Sequence, residues 1–291
     1  MDDSIEKKHH RLRARLRELG RSAVAFSGGV DSTLLLYVAR EVLGDDLLAV
    51  TAVSETTPVR ERAAAARFAE EIGVLYVAVP TDEMQSPAFT ENPEDRCYHC
   101  KRPRFGRLAG IARNEGFVNI LDGENTDDLN DYRPGRRAAR EMGVISPLRE
   151  AGLSKAEIRT LARHLGLAAW NRPASACLAS RIPFGMAITA ERLARIDRGE
   201  MFLQDAGIAG DVRVRLTSPD AVRIELSTEG LTRIVREPLR TRTLAFFREL
   251  GFRYIAVDLS GYRMGSLNPE GAAGGGATEE SNPTHHRGEP S

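Results

Sequence analysis

Short apolar runs alternate with amphipathic stretches along the first part of the chain. A helical stripe at the start is formed by Ile5, Leu12, Leu16 and Leu19. Apolar runs then recur as "AVAF" (23–26), "LLAVTAV", "VLYVAVP" and "FVNILDG", and helical patterns such as "VDSTLLLYVAREVLG" and "VRERAAAARFAEEIG" lie between them. Because strands that alternate with helices usually pair in parallel, the pattern predicts an α/β domain around a parallel sheet.

Less regular segments lie on either side of the fourth predicted strand. After "RCYHCK" the pattern predicts a helix over "RFGRLAGIARNEG", and after the strand it predicts a polar loop over "ENTDDLNDYRPGRR". A helix over "SKAEIRTLARHLG" follows, in which Ser154 and Glu157 have the spacing of a capping box. This helix is expected to close the first domain.

The hydrophobic pattern changes from Thr189 onward. "TAERLARIDRGEMFLQDAG" predicts a helix, and "DVRVRL" and "AVRIEL" alternate with period two around the turn "TSPD", as in an antiparallel hairpin. One helix over "LTRIVREPLRTRTLAFFRELG" and a strand over "FRYIAVDL" complete a smaller α+β unit. We therefore predict a first domain at 1–180, a second at 181–268, and a disordered tail at 269–291 that is rich in Gly, Pro, Ser, Thr and Glu.

Composition and charge narrow the class of protein. With 291 residues and 42% hydrophobic content, the chain is long enough to form two cores. Its 41 basic and 41 acidic residues cancel, which weighs against a dedicated RNA-binding protein with a basic surface. No apolar run approaches the roughly 20 residues of a membrane span, and "MDDSIEKKHHRLRARLRELG" lacks the apolar segment of a secretory signal. We therefore expect a cytoplasmic protein with reduced thiols.

The first turn from strand to helix, "SGGVDS", has the composition of an anion-binding loop. It contains Ser27, Gly28, Gly29, Asp31 and Ser32. Two glycines allow the backbone to approach a ligand closely, and the amides that start the next helix point towards a bound anion. A tight turn that merely uses two glycines is the alternative, but the flanking hydroxyl and carboxyl side chains favour a phosphate site. The stretch lacks the spacing and the lysine of a Walker A loop.

Together with three further stretches, this loop resembles a known family. "SGGVDS" matches the S-G-G-x-D-S signature of the PP-loop ATP pyrophosphatases at every fixed position, and "DGENTDD" (122–128), "RPASACLASRIPFG" (172–185) and "GYRMGSLN" (261–268) resemble the LarE sulfur transferases of nickel-pincer nucleotide biosynthesis. The resemblance implies an adenine nucleotide α-hydrolase-like fold, ATP as co-substrate, and release of pyrophosphate as AMP is attached to a carboxylate. It implies a small-molecule substrate, pyridinium-3,5-dicarboxylate mononucleotide, whose carboxylate becomes a thiocarboxylate. We expect a homo-oligomer with no nucleic-acid or membrane partner.

Cys177 is the candidate residue for sulfur transfer. An adenylated carboxylate is a mixed anhydride, and a soft nucleophile such as a thiolate converts it to a thioacid. An ordinary cysteine, with a pKa of about 8.5, is only about a few per cent thiolate at neutral pH, so it needs nearby positive charge or a metal. Arg172 and Arg181 flank Cys177 in the sequence. A small buried core residue is the alternative, although "ASACLAS" has neither the β-branched residues of a strand nor a helical stripe.

Cys97 and Cys100 stand close together in "RCYHCK" and could be incidental or half of a zinc site. A structural zinc site needs four nitrogen or sulfur ligands, and the sequence has no second C-x-x-C, although His99 lies within the pair. With Cys177, three thiolates instead suit a [4Fe-4S] cluster in which one open iron can bind exogenous sulfide. In the family that the chain resembles, members with a single cysteine give up its sulfur and are left with dehydroalanine, whereas members with two further cysteines hold a cluster. This chain has the three-cysteine pattern.

The acidic stretch "DGENTDD" is the candidate site for the Mg²⁺ that accompanies ATP. If it follows a parallel strand, it lies at the carboxyl edge of the sheet beside the phosphate loop, where ligands of α/β proteins bind. Carboxylates there can hold Mg²⁺, and an acidic surface loop, which also includes Glu124, is the alternative. We assign to the binding of ATP and Mg²⁺ the side chains of Asp122, Asn125, Asp127 and Asp128.

Arginines on the predicted hairpin are candidates for substrate binding. Arg213 and Arg215 lie two residues apart and therefore on one face of their strand, with Arg223 on the facing strand. Paired guanidiniums suit a phosphate, and the implied substrate has one. A solvated strand face that pairs with Glu225 is the alternative.

Three hypotheses from different classes follow from the sequence. The first is a LarE-like sulfur transferase that uses Cys177, Arg181, Arg213 and Arg215 in catalysis. The second is a PP-loop enzyme that thiolates tRNA or forms an amide, which the neutral charge and the lack of a glutaminase domain weaken. The third is a non-enzymatic protein that binds an iron–sulfur cluster or an adenine nucleotide.

Overall fold

A computed structural model describes residues 2–130, 134–172 and 176–263. Its strands are β1 (Ser22–Ala25), β2 (Leu47–Val53), β3 (Leu75–Pro80), β4 (Asn119–Leu121), β5 (Val212–Ser218), β6 (Ala221–Leu226) and β7 (Tyr254–Val257). Its α-helices are α1 (Asp3–Leu19), α2 (Val30–Leu43), α3 (Val59–Ile72), α4 (Pro87–Thr90), α5 (Arg96–Asn114), α6 (Pro134–Glu141), α7 (Pro147–Glu150), α8 (Lys155–His164), α9 (Ala190–Asp205), α10 (Thr228–Ile234) and α11 (Leu239–Glu249).

The first sheet is parallel throughout and has the order β3-β2-β1-β4. β1 is a central strand, since Ser22 pairs with Leu47 on one side and with Asn119 on the other. Helices cover the sheet, and the apolar face of α2, which includes Leu34, Leu35 and Val38, is fully buried. The α/β class predicted from the alternating pattern is confirmed.

The second sheet has the order β5-β6-β7. β5 and β6 form the predicted antiparallel hairpin, and β7 adds to β6 in parallel. Leu193 from α9, Ile224 from β6 and Phe247 from α11 meet in the core beneath this sheet. The mixed sheet with helices on one side agrees with the predicted smaller α+β unit.

The two halves share residues across the predicted boundary at 180/181. The second core also takes in Phe89 and Cys100 from the first half, together with Leu178 from the segment between them. The division into 1–180 and 181–268 stays a prediction, because the packing does not stop at that boundary. The predicted tail at 269–291 lies outside the described residues.

The helix predicted after "RCYHCK" was too short. α5 begins at Arg96, so that Cys97 and Cys100 lie in its first turns, and Pro103 lies inside it. Sequence patterns place helix boundaries at proline, because proline cannot donate a backbone hydrogen bond there. Here burial of Cys100, Phe105 and other residues of one face outweighs that preference.

Two further element predictions were wrong in part. The polar loop over "ENTDDLNDYRPGRR" gives way to α6 at Pro134, where a proline is tolerated because the first helical amide has no partner within the helix. The single helix predicted near the C-terminus is two helices, α10 and α11. Its interruption lies at Pro238, which precedes α11 as its N-cap residue.

The capping box at α8 is confirmed. The Ser154 side chain accepts from the amide of Glu157, and the Glu157 carboxylate accepts from the amide of Ser154 at 2.9 Å. Glu157 also pairs with Lys8 of α1 at 2.6 Å, which connects the N-terminal helix to α8. Among the residues that the structure describes, no helix has the length and apolar content needed to cross a bilayer.

Replacing Ser154 with alanine should lower the free energy of unfolding by about 1 kcal/mol, because one amide at the start of α8 loses its acceptor. Chemical denaturation of the full chain measures this loss. Thr160→Ala, at an exposed position of the same helix, is the control and should change stability by less than about 0.5 kcal/mol. Equal losses in the two variants would contradict the capping role.

Candidate active site

The turn between β1 and α2 forms the predicted phosphate loop. Gly28 has φ +73°, and a Cβ atom at this position would lie 3.1 Å from the Cα of Ala65 in α3. Glycine is therefore required both by the backbone angle and by the close packing of α3 on the loop. Gly29 is the N-cap residue of α2 and its extended backbone provides no side-chain cap, so the first amides of the helix face outward towards the loop.

Hydroxyl groups shape the inside of the loop. The Oγ atoms of Ser27 and Ser32 lie 3.0 Å apart, and the Ser32 hydroxyl also donates to the carbonyl oxygen of Gly29 at 3.2 Å. Ser32 is buried. The two hydroxyls and the backbone amides make a small polar concavity of the kind that binds phosphate oxygens.

Asp31 forms an ion pair that the sequence did not reveal. The Nζ atom of Lys155, the first residue of α8, donates to Oδ2 of Asp31 at 2.5 Å, and the backbone amide of Lys155 donates to Oδ2 of Asp127 at 2.9 Å. Burial raises the pKa of Asp31 above its ordinary value, although the Lys155 charge acts in the opposite direction. Lys155 thus links the phosphate loop to the acidic stretch.

The acidic stretch lies beside the phosphate loop, as predicted. A Cβ atom at Gly123 would come within 2.9 Å of the backbone nitrogen of Ser32, so the end of β4 and the start of α2 are in close contact. Burial raises the pKa of Asp122, while a hydrogen bond from Ser146 acts to lower it. The charge of Asp128 also acts to raise the pKa of Asp31. Lys155 contacts both Asp31 and Asp127, so the acidic stretch and the phosphate loop share one region.

Asn125 and Glu124, two other polar residues of this stretch, have partners within the protein. Oδ1 of Asn125, which is buried, accepts from the amide of Asp127 at 2.9 Å and therefore shapes the turn. Glu124 forms ion pairs with Arg136 and, at 2.5 Å, with Arg149. Two guanidiniums already satisfy Glu124, so the metal-binding role weighed for the acidic stretch fits the aspartates better.

A short 3-10 helix, Leu178–Arg181, follows Cys177 directly. Arg181 is buried, and its guanidinium pairs with Glu200 of α9 through contacts of 2.9 and 3.0 Å. The same guanidinium donates to the carbonyl oxygens of Ala176 and Cys177 at 2.7 and 3.0 Å. Arg181 therefore places a positive charge at the backbone of the candidate sulfur donor.

The hairpin arginines lie on a buried face, which corrects the solvated alternative. Arg213 and Arg215 are 6% and 5% exposed. Arg215 pairs with Glu225 at 2.7 Å and donates to the carbonyl oxygen of Ser180 at 3.0 Å. The guanidinium of Arg213 lies 4.8 Å from the ring centre of Tyr262. Arg215 thus contacts the segment that follows Cys177, and Arg213 lines the same cleft as Arg181. The pairing with Glu225 that belonged to the alternative is present at Arg215.

The three thiols differ in exposure. Cys97 is exposed, Cys100 is buried and Cys177 is half-buried. Burial raises the pKa of Cys100 to about 12, and the charges of Cys177 and Cys97 act in the same direction while Arg104 opposes them. Cys100 and Cys177 pack in the same apolar cluster, and Cys97 lies one turn from Cys100 in α5, so the three thiols lie in one neighbourhood. Nevertheless, within residues 2–130, 134–172 and 176–263 no group of three or more His, Cys, Asp or Glu side chains is arranged to hold a metal ion.

A cleft of about 530 Å³ connects several of these residues. It is lined by α3, α9 and the segment before Cys177, and its polar lining includes Glu61, Arg172, Arg181, Glu200 and Arg213. Arg172 pairs with Glu61 at 2.8 Å. The cleft is thus bordered by guanidiniums and lies on the side of α3 next to the candidate sulfur donor.

Comparisons with known proteins agree with this geometry. Residues 9–169 match the family model described as asparagine synthase. The chain is 38% identical to the pyridinium-3,5-bisthiocarboxylic acid mononucleotide synthase of Lactiplantibacillus plantarum, over 91% of this chain and 95% of that protein. This chain belongs to the LarE-type sulfur transferases of the PP-loop superfamily. It is therefore an enzyme of an ATP-utilising family in which Mg²⁺ accompanies the nucleotide.

Two other relatives are similar to this LarE-type enzyme over most of its length. An uncharacterized protein of Synechocystis is 43% identical over 91% of this chain and 98% of its own length. A GMP synthase polypeptide of Archaeoglobus fulgidus is 26% identical over 78% of this chain and 84% of its own length. The first of these similarities extends well beyond the phosphate-loop half of the chain.

Sequence reasoning missed two charged residues of the site, although each had a signal. Lys155 is a cation in the first turn of a helix, where the helix dipole disfavours positive charge, so a carboxylate partner could have been expected. Glu200 shares the buried helical face of Ile196 and Leu203 in α9, and a charged residue on such a face needs a partner.

Replacing Gly28 with alanine should weaken ATP binding by at least about tenfold, because the new Cβ displaces the phosphate loop from α3. Gly73→Ala is a matched control, since Gly73 has the same φ of +73° but has no atom within 4 Å of a Cβ. Both variants should lose about 1 kcal/mol of stability from the backbone angle alone. Titration calorimetry with ATP separates them, and equal affinities in the two variants would contradict the close-packing argument.

Proposed function

We propose that this enzyme uses ATP to convert a carboxylate of pyridinium-3,5-dicarboxylate mononucleotide into a thiocarboxylate during biosynthesis of the nickel-pincer nucleotide. The name of the Lactiplantibacillus plantarum relative, a bisthiocarboxylic acid mononucleotide synthase, supports this substrate. The observation on which the proposal depends most is the cleft lined by Arg181, Arg213 and Ala176, the residue before Cys177, because this cleft borders the helix α3 that packs on the phosphate loop.

The first step is adenylation of the substrate. A carboxylate oxygen attacks the α-phosphorus of ATP, the bond to the bridging oxygen breaks, and pyrophosphate leaves. Amides and hydroxyls from Ser27 to Ser32 bind the phosphates of ATP, and the aspartates of the acidic stretch would hold Mg²⁺ together with Asp31. Among the described side chains, Oδ1 of Asp31 is buried without a hydrogen-bond partner, so an oxygen ligand for a cation is available there.

The hairpin orients the substrate. Arg213 and Arg215 bind its phosphate or its second carboxylate, because two guanidiniums on one strand face match paired oxygens. Arg181 is held by Glu200, which raises the pKa of the guanidinium even though burial acts to lower it. Arg181 therefore stays charged and stabilises negative charge that develops near Cys177.

Sulfur transfer takes place at the acyl carbon of the adenylate. A sulfur nucleophile attacks this carbon and AMP leaves with the electrons of the broken C–O bond. Cys97, Cys100 and Cys177 would hold a [4Fe-4S] cluster, and such a cluster would supply sulfide bound at its open iron. The donor set suits it, since thiolates are the preferred cluster ligands and the buried Arg96 interacts with the charges of Cys97 and Cys177. The side chains would have to reorient, because their arrangement in the structure is not that of a metal site.

Two broader features belong to the same proposal. We infer a cytoplasmic enzyme, since its thiols function in the reduced state. We also infer a homo-oligomer with a small-molecule substrate and no nucleic-acid partner, which is compatible with the formal net charge of zero.

The adenylation step is tested with Asp31→Asn. Full-length protein with ATP, Mg²⁺ and the dicarboxylate mononucleotide should release pyrophosphate and give a product in which sulfur replaces oxygen. The variant should release pyrophosphate at least about a hundredfold more slowly, because it loses an anionic oxygen that would bind the Mg²⁺ of the nucleotide. Asp45→Asn, whose side chain is 99% exposed, is the control and should match the wild type. Release of orthophosphate instead of pyrophosphate would contradict the proposal.

The cluster is tested by replacing each cysteine with serine. Protein purified without oxygen should contain about four iron atoms per chain with acid-labile sulfide, and each single variant should lose most of both because a two-thiolate remnant is labile. His99→Ala, between the two cysteines, is the control and should retain the iron. Mass spectrometry decides the alternative route. Dehydroalanine at position 177 after turnover of the iron-loaded enzyme would show that Cys177 gives up its own sulfur.

A further inference from the structure

The side chain of Asn92 binds the segment that follows Cys177 and its 3-10 helix. Nδ2 of Asn92 donates to the carbonyl oxygens of Pro183 and Met186, at 2.7 and 2.9 Å. It also lies 3.4 Å from the carbonyl oxygen of Ile182. Asn92 itself is fully buried. The side-chain amide of Asn92 thus contacts three backbone carbonyls within 182–186.

Arg96, the first residue of α5, holds this amide in place. Its guanidinium donates to Oδ1 of Asn92 and, at 3.2 Å, to the carbonyl oxygen of Ile182. It also lies 4.3 Å from the ring centre of Phe184, a cation–π contact. Arg96 is buried and directly precedes Cys97. These contacts therefore connect 182–186 to α5, the helix that contains two of the three cysteines.

The backbone of Asn92 indicates that its side chain is the reason for its presence. Asn92 has φ +62°, the one positive value at a residue other than glycine in the part of the chain that the structure describes. Glycine adopts this angle without strain, whereas asparagine does so at some cost. What asparagine has and glycine lacks is a side chain, and here that side chain forms the hydrogen bonds to 182–186.

The other end of the 3-10 helix is also fixed. The amide of Leu178 donates to the carbonyl oxygen of Thr56, in the loop after β2, at 2.8 Å. The hydroxyl of Thr56 in turn donates to the buried carboxylate of Glu83 at 3.1 Å. The four residues after Cys177 are therefore held between the edge of the parallel sheet and the start of α5.

We propose that Asn92 and Arg96 form a positioning clasp that fixes 182–186 against α5 and thereby sets the approach of Cys177 to Cys97 and Cys100. The effect of this positioning on catalysis rests on the proposed sulfur transfer. The clasp itself is a property of the folded chain and can be measured without the reaction. Neither residue contacts substrate in the proposed reaction, and both act through the Cys177 segment.

Asn92→Gly removes the side chain and relieves the backbone angle at the same time, so it tests the clasp without adding strain. Asn114→Gly, at an exposed position of α5, controls for the introduction of glycine into this region. Arg96→Lys is a second variant, which keeps the charge but loses the planar group that bridges Asn92 and Ile182.

Hydrogen exchange of the full-length apo protein is the first measurement. The amides of Gly185 and Ile188, which donate to the backbone of Asn92 and Thr90, should exchange at least about fivefold faster in Asn92→Gly and Arg96→Lys. Amides of β1 and β2 should keep their wild-type rates, and Asn114→Gly should resemble the wild type throughout. Unchanged rates at Gly185 and Ile188, or equal acceleration in the sheet, would overturn the clasp.

Coupling between the two chemical steps is the second measurement. In Asn92→Gly pyrophosphate release should stay within about twofold of the wild type, whereas thiocarboxylate formed per pyrophosphate should fall by about tenfold. An unchanged ratio would overturn the positioning role even if exchange is faster. If the wild type itself forms no thiocarboxylate, the proposed function fails, and the exchange data still decide whether the clasp exists.

Discussion

The parallel pairing of β1 with both β2 and β4 is the interaction on which the site depends. The pairing brings the carboxyl ends of the three strands to one edge, and it continues beyond β1 as the amide of Phe26 donates to Val50 at 2.9 Å. The Thr51 hydroxyl then donates to the carbonyl oxygen of Phe26 at 2.6 Å, a buried contact. This edge contains the phosphate loop after β1, the loop after β2 that binds Leu178, and the acidic stretch after β4. Without this register the three would not meet.

Much of this arrangement could be predicted from the sequence because local signals and packing agree. The strand at 47–53, the capping box at Ser154 and the hairpin around "TSPD" were all placed correctly. The acidic stretch was placed beside "SGGVDS" from the rule that ligands bind at the carboxyl edge of a parallel sheet. At these positions, periodicity, turn residues and tertiary contacts favour the same structure.

Sequence reasoning failed where distant residues decide the outcome. α5 continues through Pro103 because burial of one face, including Cys100, outweighs the local preference of proline. The pairs Lys155–Asp31 and Arg181–Glu200 join residues that are far apart in the chain or on different elements. The clasp of Asn92 depends on a backbone angle that no composition rule for asparagine specifies. These three misses depend on tertiary contacts, which a single sequence indicates only through an unusual residue, such as a charge on a buried helix face.

Buried charge explains why the junction between the two halves is specific. Arg181 with Glu200 and Arg215 with Glu225 are ion pairs whose side chains are at most 7% exposed. Such pairs add little net stability, because desolvation offsets most of the attraction, but each member is costly to leave unpaired. Shifting α9 or the hairpin relative to Cys177 would therefore break several pairs at once.

The helix α3 makes the two ligand regions dependent on one another. One side of α3 contacts the phosphate loop at Gly28 through Ala65, and its neighbouring residues Glu61 and Phe68 line the cleft. The start of α3 is bonded to the second half, where Oδ2 of Asp197 accepts from the amide of Val59 at 3.2 Å. Because a packed helix moves as a unit, a displacement at the loop shifts the wall of the cleft as well. Glu61 and Phe68 lie one helical turn before and after Ala65, so the phosphate loop and the cleft border neighbouring parts of one face of this rigid element.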